Sequence, residues 1–312
     1  RIDRSWIEYT SGVVPALSAT IKALTQPGDK VLVQTPVYNC FFSSIRNNGC
    51  EIVESPLQRS ANTYVINFVD LEQNLSDPAV KLFILCNPHN PAGRVWTPDE
   101  LHHINDLCLR HNVRVVSDEI HCELTMPGYT YTPFASVSEA CLNNSVTLNS
   151  PSKSFNTAGL QIANIICNDA AIRRSINRAI NINEVCDVNP FGVIALQAAY
   201  NEGEAWLEAL KAYLYTNYVA LQSFFAEQLP QLPVTKLEGT YLVWVDISAT
   251  GLDADTLTDR LLHGAKVMVN SGTMYGREAG KHFIRINIAC PKVRLMEALT
   301  RIQQEINKLS TL

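Results

Sequence analysis

The chain reads as an α/β protein, with a three-layer αβα large domain on a mainly parallel sheet and a smaller α+β C-terminal domain. Three observations predict this. Over residues 1 to about 200, short apolar runs alternate with amphipathic stretches, the pattern of βα units. Polar loops follow several of these runs at their C-terminal ends, the edge where open α/β sheets bind ligands. Beyond Pro230 the pattern changes to short strands and two helices. With 312 residues, 46% hydrophobic and 18% charged, the chain can bury a large core and divide into two domains, expected at 1–200 and 201–312.

The expected strands of the first domain are Lys30–Gln34, Glu51–Glu54, Leu82–Cys86, Arg114–Ser117, Ser145–Leu148 and Asn164–Cys167. The run Lys81-Leu82-Phe83-Ile84-Leu85 is continuously apolar after its lysine, as a parallel strand covered on both faces requires. Pro98-Asp99-Glu100-Leu101 opens a helix with Thr97 as N-cap and Glu100 as its reciprocal partner, ending before Asn112. From Pro190 to about Leu229 the apolar spacing is helical with few breakers, predicting one or two long helices that connect the domains. The second domain is expected to hold strands at Tyr241–Asp246, Lys266–Val269 and His282–Ile288, and helices at Ala254–His263 and Lys292–Asn307. The last helix carries Leu295, Leu299, Ile302 and Ile306 on one face.

A net charge of −5 without any basic tract argues against nucleic acid as a partner. No apolar run approaches the roughly 20 residues needed to cross a bilayer, so no membrane role is expected. The nine cysteines form no CxxC pair, and Cys86 and Cys167 fall inside apolar runs, where free cysteine is a small buried hydrophobe. Reduced thiols and a cytoplasmic location are the expectation. Cys122 follows His121, but no second Cys/His cluster accompanies them, so no metal site is expected. The chain opens at Arg1 without an initiator methionine, and an N-terminal segment is expected to precede it.

Three loops carry candidate chemistry. Ser150-Pro151-Ser152-Lys153-Ser154-Phe155 sets one lysine beside small hydroxyls after an apolar run. An amine in a partly desolvated pocket loses its proton more readily and becomes nucleophilic, although this loop taken alone fits an ordinary surface lysine better. Cys86-Asn87-Pro88-His89-Asn90-Pro91-Ala92-Gly93 and Ser117-Asp118-Glu119-Ile120-His121 close two further strands. In this order, NPxNPxG, DEIH and SxSK resemble the pyridoxal 5′-phosphate (PLP) enzymes of the aspartate-aminotransferase fold, and most of all their cystathionine β-lyase group. Gly12-Val13-Val14-Pro15-Ala16-Leu17, Thr35-Pro36-Val37-Tyr38, Gly239-Thr240-Tyr241-Leu242-Val243-Trp244-Val245-Asp246 and Phe283-Ile284-Arg285-Ile286-Asn287 extend the likeness over nearly the whole chain.

The resemblance implies roles. Lys153 would bind the PLP aldehyde covalently and move the substrate's Cα proton. Asp118 would keep the pyridine nitrogen protonated, and Tyr38 would stack on the ring. Asn90 and His121 would contact the phenolic oxygen. The amides of Val13 and Val14 and the hydroxyls of Ser150 and Ser152 would hold the phosphate. Arg285 would grip the substrate carboxylate, with Asn90 beside it, and Tyr275 and Gly276 would line the mouth. Gln161 stands where many aminotransferases of this fold carry an arginine, eight residues after the lysine. The implied protein is a homodimeric carbon–sulfur β-lyase acting on a small amino acid such as cystathionine. An aminotransferase, or a PLP-sensing regulator behind a DNA-binding domain, are the alternatives.

Overall fold

A computed structural model describes residues 2–182, 184 and 187–309. Strand β1 (Ile7–Thr10) and helix α1 (Val13–Leu24) come first, followed by β2 (Lys30–Val33), α2 (Cys40–Asn47) and β3 (Glu51–Glu54). A hairpin of β4 (Gln58–Ser60) and β5 (Thr63–Val65) leads to α3 (Phe68–Leu75), β6 (Val80–Cys86), α4 (Pro98–Arg110) and β7 (Arg114–Asp118). Then come α5 (Glu139–Asn143), β8 (Ser145–Asn149), β9 (Ala163–Ile166) and α6 (Ala170–Asn181).

Seven strands form one sheet in the order β1-β9-β8-β7-β6-β2-β3. The pairs from β3 to β8 are parallel, while β9 runs antiparallel to both β8 and β1. Period-two alternation divides the central strands between two cores. Val31, Val33, Leu82 and Ile84 pack towards α1, α2 and α6, whereas Leu32, Phe83 and Leu85 pack towards α3 and α4. Covered faces explain the continuous apolar run in β6 and give the expected αβα layering. The α4 start has the expected capping box, with the Glu100 amide donating to Thr97 Oγ1 at 3.2 Å and the Thr97 amide to Glu100 Oε2 at 2.8 Å.

Helices α7 (Pro190–Glu202) and α8 (Glu204–Gln228) form the long connection. The expected boundary at 200/201 falls in the last turn of α7, and the helix breaks at Gly203. A second sheet follows, made of β10 (Leu242–Asp246), β11 (Asn270–Ser271) and β12 (Phe283–Asn287), with α9 (Ala254–Arg260) and α10 (Lys292–Asn307) beside it. Val243, Val245, Ile284 and Ile286 meet the apolar face of α10 and the buried stripe of α8.

Two expectations here are corrected. The strand proposed at Lys266–Val269 is not formed, because Lys266 has φ +56° and cannot be extended; pairing begins at Asn270 instead. The helix proposed to reach His263 ends at Arg260 and gives way to a wider turn over Leu261–Ala265. Trp244 of β10 stacks on Phe283 of β12 at 5.1 Å and ties this sheet to the β4–β5 hairpin by donating through Nε1 to the Tyr64 hydroxyl at 3.1 Å.

Candidate active site

The loops after β6, β7 and β8 meet at a cavity of about 360 Å³. Val13, Val14, Tyr38, Asn90, Asp118, His121, Ser152, Lys153 and Arg285 all line it. Ser150 does not. Its buried hydroxyl donates to the Ile162 carbonyl at 2.7 Å and accepts the Ser152 amide at 3.1 Å. That single proton closes the turn between β8 and β9, so the expected phosphate donor at Ser150 is corrected, and Ser152 faces the cavity in its place.

Asp118 is the last residue of β7 and is buried, with the Ile120 amide donating to Oδ1 at 3.1 Å. Burial pushes its carboxyl up to about 7, opposed by that amide and by the charge of Lys153. Glu119 points away into its own cage, accepting from the Ser117 hydroxyl at 2.8 Å, the Phe134 amide at 2.9 Å and the Tyr131 hydroxyl. This cage fixes the end of β7 and so the direction of Asp118.

His121 is buried, and its Nδ1 has no hydrogen-bond partner among the described residues. Its ring meets Tyr241 edge-on at 5.7 Å. Burial, aided by the charges of Lys153 and Arg285, lowers its pKa to about 3, so the imidazole is neutral at ordinary pH. Lys153 is half-buried in the reversal from β8 to β9. Antiparallel pairing lets the chain return through residues 150–162 without a crossover helix on the sheet face. The loop is braced just after the lysine: Ser154 donates to Glu123 at 2.6 Å, and Phe155 stacks on Trp206 at 5.8 Å and meets Tyr200 edge-on.

Arg285 projects from β12. Its Nη1 donates to Asn90 Oδ1 and its Nη2 to Asn270 Oδ1, both at 3.0 Å, and its Cζ lies 4.5 Å over the Tyr275 ring. Nε is buried without a partner among the described residues. Tyr275 is therefore a buried support beneath the guanidinium and not a residue of the mouth. Asn270 escaped the sequence reading because a two-residue strand gives no periodic signal; its register opposite Arg285 brings it there. Tyr241 lay inside a quoted motif without a role, and it forms part of the cavity wall.

The Asn90 loop is itself clamped. The Asn87 amide donates to the Asp118 carbonyl at 2.9 Å, and His89 Nε2 donates to the Pro36 carbonyl at 2.8 Å. Arg94, also buried, reaches Glu238 at 2.9 Å and Glu100 at 3.0 Å. Gly239 lies so close that a Cβ there would come within 2.9 Å of Val95 and 3.1 Å of Pro88. Tyr38 stands over the same cavity with its edge packed by Phe41 at 5.9 Å, and burial raises its phenol far above the ordinary value.

Helix α1 starts at Gly12 without a side-chain cap, and its first intrahelical bond runs from the Ala16 amide to the Gly12 carbonyl at 2.9 Å. The amides of Val13 and Val14 thus have no partner within the helix, and Pro15 brings none. These donors suit an anion. The cavity combines them with a half-buried amine, a buried carboxylate, an aromatic ring and unpartnered polar atoms on His121 and Arg285. That donor set fits PLP: the α1 amides and Ser152 would hold its phosphate, Lys153 its aldehyde and Asp118 its ring nitrogen.

Comparison with known proteins agrees. The family profile Aminotransferase class I and II matches residues 2–302. The chain is 42% identical to cystathionine beta-lyase PatB of Bacillus subtilis over 98% of this chain and 79% of that protein. Cystalysin of Treponema denticola, solved with pyridoxal 5′-phosphate, superimposes with a TM-score of 0.96 at 35% identity, over 99% of this chain and 78% of that one. A PLP-bound C-S lyase from Staphylococcus hominis gives a TM-score of 0.92 at 31% identity, over 99% and 79%. PLP is the cofactor of this family, and the residues of the cavity are suited to it. On the matched profile, the identity to PatB and the site chemistry together, the chain belongs to the class I and II aminotransferase family of fold type I PLP proteins, in its cystathionine β-lyase subgroup.

Proposed function

We propose that the protein is a PLP-dependent carbon–sulfur β-lyase that cleaves cystathionine or a related sulfur amino acid to a thiol, pyruvate and ammonia. The observation that carries the choice of reaction is the 42% identity to PatB across 98% of the chain. The cavity supports the chemistry. PLP, when bound, supplies an electron sink conjugated to the substrate Cα. Arg285, aimed by Asn90 and Asn270, binds the substrate carboxylate and so sets which Cα bond faces Lys153. Lys153 Nζ takes the Cα proton and then gives it to the departing sulfur as the Cβ–S bond breaks. Asp118, paired with a protonated ring nitrogen, keeps its negative charge in a buried place. His121, neutral, offers a hydrogen bond without adding charge. One water is consumed as the three-carbon fragment becomes pyruvate and ammonia, which balances the reaction.

A small-molecule amino acid is the partner this cavity takes. A homodimer is part of the same proposal, supported by Phe191 and Ile194, which α7 leaves exposed. A cytoplasmic location is supported by the free thiols of the eight described cysteines. Among the described residues, no helix is long and apolar enough to cross a membrane.

The runner-up is an aminotransferase, which would use the same lysine to return the proton to the cofactor. Incubating the holoenzyme with L-cystathionine and no keto acid, then measuring pyruvate, separates the two. Pyruvate and a free thiol appear in equal amounts if the lyase reading holds. Amino-group transfer that requires added keto acid, with no thiol released, overturns it.

A further inference from the structure

His89 stands at the first open position of NPxNPxG, one residue before Asn90, and is buried. Its Nε2 donates to the carbonyl of Pro36, two residues before Tyr38, at 2.8 Å. One imidazole therefore spans the loop that carries Tyr38 and the loop that carries Asn90. Resting on the place given to PLP in this cavity, and on no particular reaction there, we propose that His89 is a positioning residue. It holds the Tyr38 loop against the Asn90 loop and so fixes the Tyr38 ring where the cofactor would meet it.

The anchor is firm. The His89 amide donates to the Arg94 carbonyl and its own carbonyl accepts from the Gly93 amide, both at 2.8 Å. Its ring meets Trp96 edge-on at 5.5 Å, and Trp96 Nε1 in turn donates to the Cys86 carbonyl at 2.9 Å. The Tyr38 loop is held at three successive residues. The Thr35 carbonyl accepts from the Leu57 amide at 2.8 Å, Pro36 accepts from His89, and the Val37 amide donates to the Tyr275 carbonyl at 2.7 Å. Of these three bonds, the one to Pro36 is made by a side chain, so a substitution can remove it alone. Burial lowers the His89 pKa to about 4, and the ring is neutral with a single proton. A carbonyl can only accept, which puts that proton on Nε2 and leaves Nδ1 bare, in keeping with its lack of a partner among the described residues. A buried carbonyl left without its donor costs more than the bond itself contributes. Pro36 is buried, so loss of the imidazole shifts it, and Tyr38 moves with it.

The test titrates PLP into the cofactor-free protein and reads Kd, with the visible circular dichroism of the bound cofactor as a second signal. His89→Gln carries a donor near the place of Nε2, His89→Asn is too short to reach Pro36, and His89→Phe fills the space without donating. The expected Kd rises about tenfold or more in the Asn and Phe variants, with a changed dichroic band, and stays within about threefold in Gln. In a Tyr38→Ala background, His89→Asn costs less than about threefold, because the ring it acts through is gone. A purely structural histidine would lower the urea midpoint of the cofactor-free protein and leave Kd within about twofold; that result overturns the proposal. Equal losses in Gln and Asn, or an undiminished effect without Tyr38, overturn it as well. Should the Phe variant fail to fold, Asn against Gln decides. Lys153→Ala checks the premise separately by abolishing the visible band of lysine-bound PLP. If that band survives, the assigned site and the role of His89 fall together, whereas failure in the His89 variants alone leaves the site standing.

Discussion

Replacing Asp118 by asparagine is expected to stabilise the cofactor-free protein while removing its activity. The carboxyl is buried, accepts one amide and has no cation in contact, and its pKa stands at about 7 against an ordinary 3.8. The folded value lies above the unfolded one. Between those two pH values the native protein therefore keeps a proton that the unfolded chain has lost, and stability falls as pH rises through the window. At about 1.4 kcal/mol per pH unit, the wild type gives up about 4 kcal/mol by pH 7 or above, a cost that asparagine avoids. Urea unfolding of wild type and Asp118→Asn, both freed of PLP, measures this directly. The variant's advantage is near zero at about pH 4 and grows to a plateau above about pH 7. Adding PLP narrows the gap, because a protonated ring nitrogen returns to Asp118 the charge partner that the protein withholds. Equal midpoints at about pH 8, or an advantage that does not change with pH, would refute the reasoning.

Three further outcomes are expected. Arg285→Lys keeps the charge but loses the fork onto the carboxylate, so KM should rise by roughly 10- to 100-fold with a smaller change in kcat, read from steady-state pyruvate release. Glu238→Gln removes one of two carboxylates on buried Arg94; Glu100 still faces the guanidinium, so the loss is about 2 kcal/mol, below the full cost of an orphaned charge, and the urea midpoint reports it. His121, held neutral by burial with a pKa of about 3, should contribute no limb near pH 6.5 to the pH profile of kcat. A His121→Asn variant thus lowers the rate without shifting that profile, and a shift would mean that the imidazole is charged in the working enzyme.

The nine expected residues that line the cavity were marked by the family resemblance, whereas local chemistry in the chain was enough to mark the central strands, the capped start of α4 and the loops that reach the cavity. Each depends on short-range rules: continuous apolar runs between covered faces, Thr97 with Glu100 at a helix start, and polar loops at strand ends. What escaped depends on distant partners. Asn270 acquires its place from the β12 register, Tyr275 from lying under Arg285, and Ser150 loses its expected place because Ile162, twelve residues on, captures its proton. The strand expected at Lys266–Val269 failed for a backbone reason, a left-handed lysine that composition does not announce.

Two of the buried polar atoms without partners, His121 Nδ1 and Arg285 Nε, belong to residues that line the cavity, whereas others, on Thr63, His111, Asn168 and Asn217, lie elsewhere. His121 Nδ1, Arg285 Nε and the first amides of α1 are groups that the fold brings to, or beside, one cavity without satisfying them from within. The surroundings are over-determined by contrast: Glu119 accepts three donors and Arg94 meets two carboxylates. A rigid, satisfied surround can hold unsatisfied groups in a fixed geometry, and the ligand then supplies the missing partners without further reorganisation. The same logic ties stability to function in this chain. Replacing a buried ionisable group, as asparagine does at 118, lowers the cost of the empty fold and removes a group proposed to hold the cofactor.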